Sequence, residues 1–168
     1  MGKVRTALAV SLDGFISGPN DGAAAPMGHG GERLLAALVF GRRTFDLTHG
    51  WGGKHPLDVP VFVVSSSVPQ AWVYQGSPFT FVTDGLESAL AQVKAVAGDK
   101  DVGVGAASIV QQCIRAGLLE EIHLDLVPVL LGGGVSLFDH LDTGPIDLER
   151  TRVIEGAGVT HLTFRVIK

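Results

Sequence analysis

A single cysteine, Cys113, is all the thiol this chain has, which excludes an internal disulfide and any cysteine-built zinc cage. Basic residues are also few: 13 Lys and Arg stand against 17 Asp and Glu, for a net charge of −4. They are dispersed, so no basic stripe exists to follow a nucleic-acid backbone, and no nucleic-acid partner is expected. Long apolar runs are missing as well. The longest, from Val59 to Val64 and from Leu126 to Leu131, are strand-sized and fall short of the ~18 residues that a membrane helix needs. The six histidines, at 29, 49, 55, 123, 140 and 161, form no i, i+4 pair around a glutamate, so no metal site is expected. The first residues hold a basic pair and a short apolar stretch that Asp13 interrupts, too little for a signal segment, and a cytoplasmic location is the expectation. What remains is a chain of 168 residues, 46% hydrophobic and 18% charged, with no linker, repeat or low-complexity tract. That suits one folded domain over 1–168.

Strand-like and helix-like runs alternate along it. Lys3 to Val10 reads as a strand, and Ser11 to Pro26, rich in glycine and proline, as a loop long enough to be functional. Gly31 to Phe40 reads as a short helix running into a strand. After Gly41, Arg42 to Leu47 opens another helix. Val59 to Val64 is a β-branched run of the kind buried on both faces of a sheet, and Phe79 to Val82 a shorter strand. Leu86, Leu90, Val93 and Ala97 recur at helical spacing behind Asp84, which reads as the N-cap. Asp101 to Val104 is a strand, and Ala106 to Ala116 a helix closed by Gly117. Cys113 inside it reads as a small buried hydrophobe. Glu121 to Val129 alternates polar and apolar residues. Arg152 to Glu155 and Val159 to Ile167, around Gly156 to Gly158, read as a closing β-hairpin. The expected fold is α/β: a three-layer sandwich with a mainly parallel mixed sheet, helices on both faces and an antiparallel C-terminal hairpin.

Chemistry collects at the carboxyl ends of the strands, where open α/β sheets bind ligands. Gly103-Val104-Gly105-Ala106-Ala107-Ser108 follows a strand and opens a helix. Small residues there let a diphosphate approach free N–H groups, although a plain tight turn has the same sequence. Gly41-Arg42-Arg43-Thr44 puts two cations at a helix start, which opposes the macrodipole unless an anion lies between. Ser65 and Ser66 end the most apolar strand where an NAD-binding protein would carry an acid. Serine hydroxyls and arginine charge suit a 2′-phosphate, hence NADP(H). Asp125, twenty residues beyond Gly105, lies mid-strand and not at a strand end, so it is set aside as a ribose ligand. Trp51 and Phe138, in glycine-rich loops, either stack on a flat substrate ring or cap the core.

Taken in order, SLDGFI at 11–16, GRRTF at 41–45, VVSSS at 63–67, VGVGAAS at 102–108 and LLGGGVSLF at 130–138 form a set. With it the chain resembles the dihydrofolate-reductase-like superfamily, in the bacterial branch related to the C-terminal reductase domain of riboflavin-biosynthesis proteins. The resemblance implies an eight-stranded, mainly parallel sheet, NADPH as cofactor, a small heterocyclic substrate reduced at C=N or C=O, and a homodimer. It implies that Gly41, Arg42, Arg43 and Thr44 hold phosphates, Ser65 and Ser66 the adenosine ribose phosphate, and Gly103 to Ile109 the diphosphate and nicotinamide side. Leu12, Asp13, Gly14 and Phe15 would border nicotinamide and substrate. The Pro-Trp pair of dihydrofolate reductases is missing, and the acid near the first loop is Glu32. Asp13 and Glu32 are therefore the candidate proton donors. A non-catalytic NADP-binding domain, or an enzyme for another phosphorylated ligand, would use the same anion-binding segments.

Overall fold

The computed structural model describes residues 2–17 and 35–168. Ten strands and three helices follow in order: β1 (Val4–Ser11), β2 (Phe15–Ser17), β3 (Leu35–Gly41), α1 (Arg42–Leu47), β4 (Val61–Val64), β5 (Phe79–Val82), α2 (Leu86–Ala97), β6 (Asp101–Val104), α3 (Ala107–Arg115), β7 (Glu121–Val127), β8 (Val135–Ser136), β9 (Leu148–Gly156) and β10 (Val159–Val166). Short 3-10 segments cover His49–Gly53 and Gln70–Trp72.

Eight strands form one sheet in the order β5-β4-β3-β6-β1-β7-β10-β9. The first six run parallel, and β10 and β9 return antiparallel. This is the expected mixed α/β sandwich. β4 is apolar throughout because both its faces are covered: Val61 and Val63 enter one core cluster and Phe62 the other. On the first face, α2 and α3 pack Leu90, Val93, Ile109, Val110 and Cys113 against Val39, Val102 and Ile122. On the second, Phe45 of α1 meets Leu38, Phe40, Val61, Val63 and Phe79.

The helix ends show how local sequence sets these elements. Beyond α3, Gly117 takes φ 65°, while its N–H reaches Ile114 O and the Leu118 N–H reaches Cys113 O. This is the double-bonded glycine stop expected there. At α2 the expectation fails. Gly85, with φ 102°, precedes the helix, and no side chain caps it; Asp84 stands one residue too early. The loop expected over Ser11 to Pro26 is also interrupted, because Phe15–Ser17 pairs antiparallel with Val135–Ser136. Of the segment Gly31 to Phe40, residues from Leu35 are strand, and the expected helix start lies outside the described residues. The alternating run from Glu121 ends at Val127, before Pro128. The hairpin is longer than expected, with Leu148–Gly156 against Val159–Val166.

Candidate functional site

Side by side in the sheet, β3 and β6 send their chains in opposite directions. β3 passes through α1 outward to β4, and β6 passes through α3 across β1 to β7. Such a switch point opens a crevice at the carboxyl ends of the strands. Here register deepens it. β6 stops at Val104, level with Val39 of β3 and Thr6 of β1. β3 continues to Gly41 and β1 to Ser11, so a notch stands above the short strand.

Two glycines shape the notch. Gly105 continues from β6 and donates its N–H to Val39 O at 2.9 Å. A Cβ there would lie 2.0 Å from Phe40 Cε1, so only glycine fits. A Cβ on Gly41 would lie 3.2 Å from Ser108 Oγ, which places the end of β3 against the start of α3. Between them Ala106 holds φ 70° and ψ 140°, an unfavourable conformation for a side chain and one that collects at functional turns. The first turn of α3 carries no acid and no side-chain cap, leaving its N–H groups available to an anion. Val104, Ala107 and Ile109 turn their side chains into the core, so their contribution to a ligand is through the backbone. Ser108 is exposed.

Arg42 bridges from β3 to β4. Its Nε donates to Asp46 Oδ1 at 2.7 Å, and Nη1 to Ser65 Oγ and Ser67 O, both at 3.4 Å. Ser65 is buried, and its hydroxyl donates to Ser67 O at 2.7 Å; the hydroxyl closes the turn. Ser66 and Arg43 are the exposed members, with Thr44 half-buried. Thus Gly41, Arg42, the Ser65–Ser66 turn and Gly105 to Ser108 lie along one edge of the sheet.

The SLDG segment is built as a clamp. Ser11 Oγ donates to Asp13 Oδ1 at 2.6 Å, and the N–H groups of Leu131 and Gly132 donate to the same carboxylate at 3.1 and 3.0 Å. The Ser11 hydrogen bond, then that of Gly132, holds the Asp13 carboxyl below its usual range. The group is therefore an acceptor at neutral pH. Gly14, at φ 90°, accepts from the Leu137 N–H. Leu12 is exposed and lines a shallow cleft of about 270 Å³ with Leu126, Pro128 and Val159. The side chain of Phe15 and all of Glu32 lie outside the described residues.

Trp51 belongs to an aromatic cluster, 5.0 Å from the Phe40 ring and 4.7 Å from His55. It reaches the notch only through Phe40, the ring that abuts Gly105. Phe138 is exposed past β8, beside α3, whose Gln111 Nε2 donates to the carbonyls of Ser136 and Leu137. Sequence reasoning missed two features. His55 is buried, which pushes its pKa down to about 4, and its Nδ1 accepts from the Leu57 N–H. Asp125 pairs with His161, Oδ1 to Nδ1 at 2.6 Å. The alternation of EIHLDLV marked a polar face on β7, but the partner is 36 residues away and no local pattern links them.

Comparison with known proteins follows this geometry. The family model described as the RibD C-terminal domain matches residues 2–156. The chain is similar to a protein of Shewanella sp. PV-4 provisionally assigned to riboflavin biosynthesis, with TM-score 0.80 and 24% identity over 100% of both chains. It is similar to the dihydrofolate reductase of Enterococcus faecalis, solved with NADP(H), with TM-score 0.70 and 16% identity, covering 99% of this chain and 98% of that one. A third is the diaminohydroxyphosphoribosylaminopyrimidine deaminase/5-amino-6-(5-phosphoribosylamino)uracil reductase of Thermotoga maritima. Its TM-score is 0.72 at 12% identity, and the match covers 99% of this chain but 57% of that one.

Proposed function

Because the chain belongs to the RibD C-terminal domain family, we propose that it is an NADPH-dependent reductase of a small heterocycle, acting as one domain over 1–168. One observation carries this reading: a glycine-floored notch at the switch point gathers an uncapped helix start, an arginine and a serine turn on one edge. The residues fit the cofactor, since the uncapped start of α3 offers N–H groups to a diphosphate, held in place by the close packing of Gly105 on Phe40 and of Gly41 on Ser108. The solved relative holding NADP(H) supports the assignment. In this reading the N–H groups at Ala107 and Ser108 take the diphosphate, and Arg42 and Arg43 with the Ser65–Ser66 turn take the 2′-phosphate. When bound, NADPH supplies hydride to a C=N or C=O carbon.

The chain's own residues bind and orient. Asp13, held as a carboxylate by three donors, positions the loop at Leu131 and Gly132 and donates no proton; the donor role passes to Glu32. Leu12, Gly14 and Phe15 border the nicotinamide and substrate. Trp51 supports the pocket wall through Phe40, and Phe138 stands at the substrate side of β8. We assign the assembly as a homodimer, on the strength of β9, an edge strand exposed along its whole length and bearing Leu148, Val153 and Ile154.

Fluorescence titration of the purified protein with NADPH and NADH tests the reading. NADPH is expected to bind more tightly, and Arg42→Ala to weaken NADPH by about tenfold, equal to about 1.4 kcal/mol, while leaving NADH unchanged. Equal affinities, or no binding, overturn it.

A further inference from the structure

His55 is a buried titratable group that the reductase reading leaves without a task. It follows an unusual turn. Gly50, Trp51 and Gly52 hold φ of 58°, 51° and 69° with ψ of 31°, 33° and 21°. Left-handed backbone that includes a tryptophan is costly, and such turns collect where function needs them. The turn is seated on the second core, where a Cβ on Gly50 would lie 2.8 Å from Trp72 Cη2, and it carries Trp51 onto Phe40. The chain then sets His55 edge-on to Trp51, at 4.7 Å and 70°, and against Phe40 at 5.7 Å. Two hydrogen bonds lock the residue there. Its Nδ1 accepts from the Leu57 N–H at 3.2 Å, and its carbonyl accepts from the Asp58 N–H at 2.9 Å. An Nδ1 that accepts carries no proton, in keeping with a ring that burial keeps neutral at pH 7.

We propose that His55 is a positioning residue of the cofactor site. With Trp51 it backs the Phe40 ring, and through Phe40 it sets the turn at Gly105 and Ala106 that aims the first N–H groups of α3 at the diphosphate. This rests on the reductase reading above. Two phenylalanines of the second core are held differently. Phe45 of α1 meets Trp72, Phe79 and Phe81 at 5.2, 5.1 and 5.1 Å, besides Trp51 at 6.2 Å. Phe40 has two ring neighbours among the described residues, Trp51 and His55. On its other side, Phe40 Cε1 fills the space that a Cβ on Gly105 would need. A ring pressed against backbone on one side and backed on the other cannot drift. Without the backing it retreats, and the contact that fixes Gly105 opens. The Gly105 N–H holds Val39 O, and Ala106, at φ 70°, joins that bond to the helix. A tilt there passes directly to the N–H groups of Ala107 and Ser108. Histidine suits the post because one ring both packs on Phe40 and satisfies the Leu57 N–H; phenylalanine would leave that donor unpaired. The arginine and serine side of the site does not depend on it, since α1 is anchored by Phe45.

Hydrogen exchange and calorimetry test the assignment. Two variants are compared with wild type: His55→Ala, and the milder His55→Asn, which keeps an acceptor for Leu57 but has no ring. In the ligand-free protein both are expected to speed exchange of the Gly105 amide by about tenfold or more, while the Val102 and Val104 amides of β6 keep their rates. Both are expected to weaken NADP+ by about tenfold and to leave adenosine 2′-monophosphate, which has no diphosphate, within about twofold. On a Phe40→Leu background neither substitution changes NADP+ affinity further, because the effect runs through that ring. A core histidine with a structural role alone would accelerate exchange evenly along β6, weaken both ligands alike, or add its loss to that of Phe40→Leu. Any of these overturns the inference, as does unmoved Gly105 exchange in both variants, while NADP+ binding by wild type still upholds the reductase reading. Failure of wild type to bind NADP+ removes that reading and the inference with it.

Discussion

Thr6 shows how far a single side chain can run against its surroundings. It is 0% exposed on β1, in register with Val104 and Ile122, and its hydroxyl has no hydrogen-bond partner among the described residues. A buried polar group without a partner costs about 1–3 kcal/mol, and replacing it by an apolar group of the same shape removes that penalty. Thr6→Val is expected to stabilise the protein by about 1 kcal/mol, read as a higher urea midpoint at unchanged slope. A lower midpoint would mean that the hydroxyl is satisfied in solution. At the same scale Asp13 bears on the sequence reading. Its residue type suggested a proton donor, and its three hydrogen bonds tie the segment after β1 to the glycine loop at 132, which supports the clamp role proposed for it. The signal lay 118 residues away in sequence.

At the scale of elements, the short strand β6 and the turn after it decide where the site is. The Phe40 ring that fills the space beside Gly105 is itself packed on Trp51 and His55, at 5.0 and 5.7 Å, so it has nowhere to swing. Gly105→Ala is expected to cost about 1–3 kcal/mol, as overpacking does, and to weaken NADPH as the notch deforms. Pairing it with Phe40→Leu restores most of the stability, and chemical denaturation of the two single variants and the double checks this. If Gly105→Ala alone is neutral, the close approach is absent. Elements of this kind were legible where the pattern is local. β4 announced itself by an unbroken apolar run, α2 by its 3.6-residue period, and the turn at Gly103 to Ser108 by small residues between strand and helix. The pairing of β2 with β8 was not legible, because strands of 3 and 2 residues are too short to show alternation. The Asp125–His161 pair was hidden for another reason: the two residues stand 36 apart and meet because β7 and β10 pair antiparallel.

At the scale of the whole molecule, three perturbed groups among the described residues shape the response to acid, and they act in two stages. Burial lowers His55 from 6.5 to about 4. Between those values the unfolded chain binds a proton that the folded chain refuses, so stability falls as pH drops from about 6.5 toward 4. The carboxylates act lower. Asp13 is depressed by the Ser11 and Gly132 hydrogen bonds. For Glu121, burial works upward, but the hydrogen bonds and charges of Lys3 and His123 outweigh it and keep the group below its usual value. Their stabilisation is complete above the ordinary carboxylate range and is lost as pH falls through the lower folded-state values. Urea midpoints taken from pH 7 down to 3 should therefore decline first over the histidine window and again below about pH 4. His55→Gln removes the titrating group from between Phe40 and Trp51, so its midpoint should stay nearly level down to pH 4.5 and then fall with the wild type. Parallel curves across the upper window would mean that the His55 ring is hydrated in solution. The packing of Trp51 and Phe40 behind the notch would then be looser than the 4.7 and 5.7 Å ring separations imply.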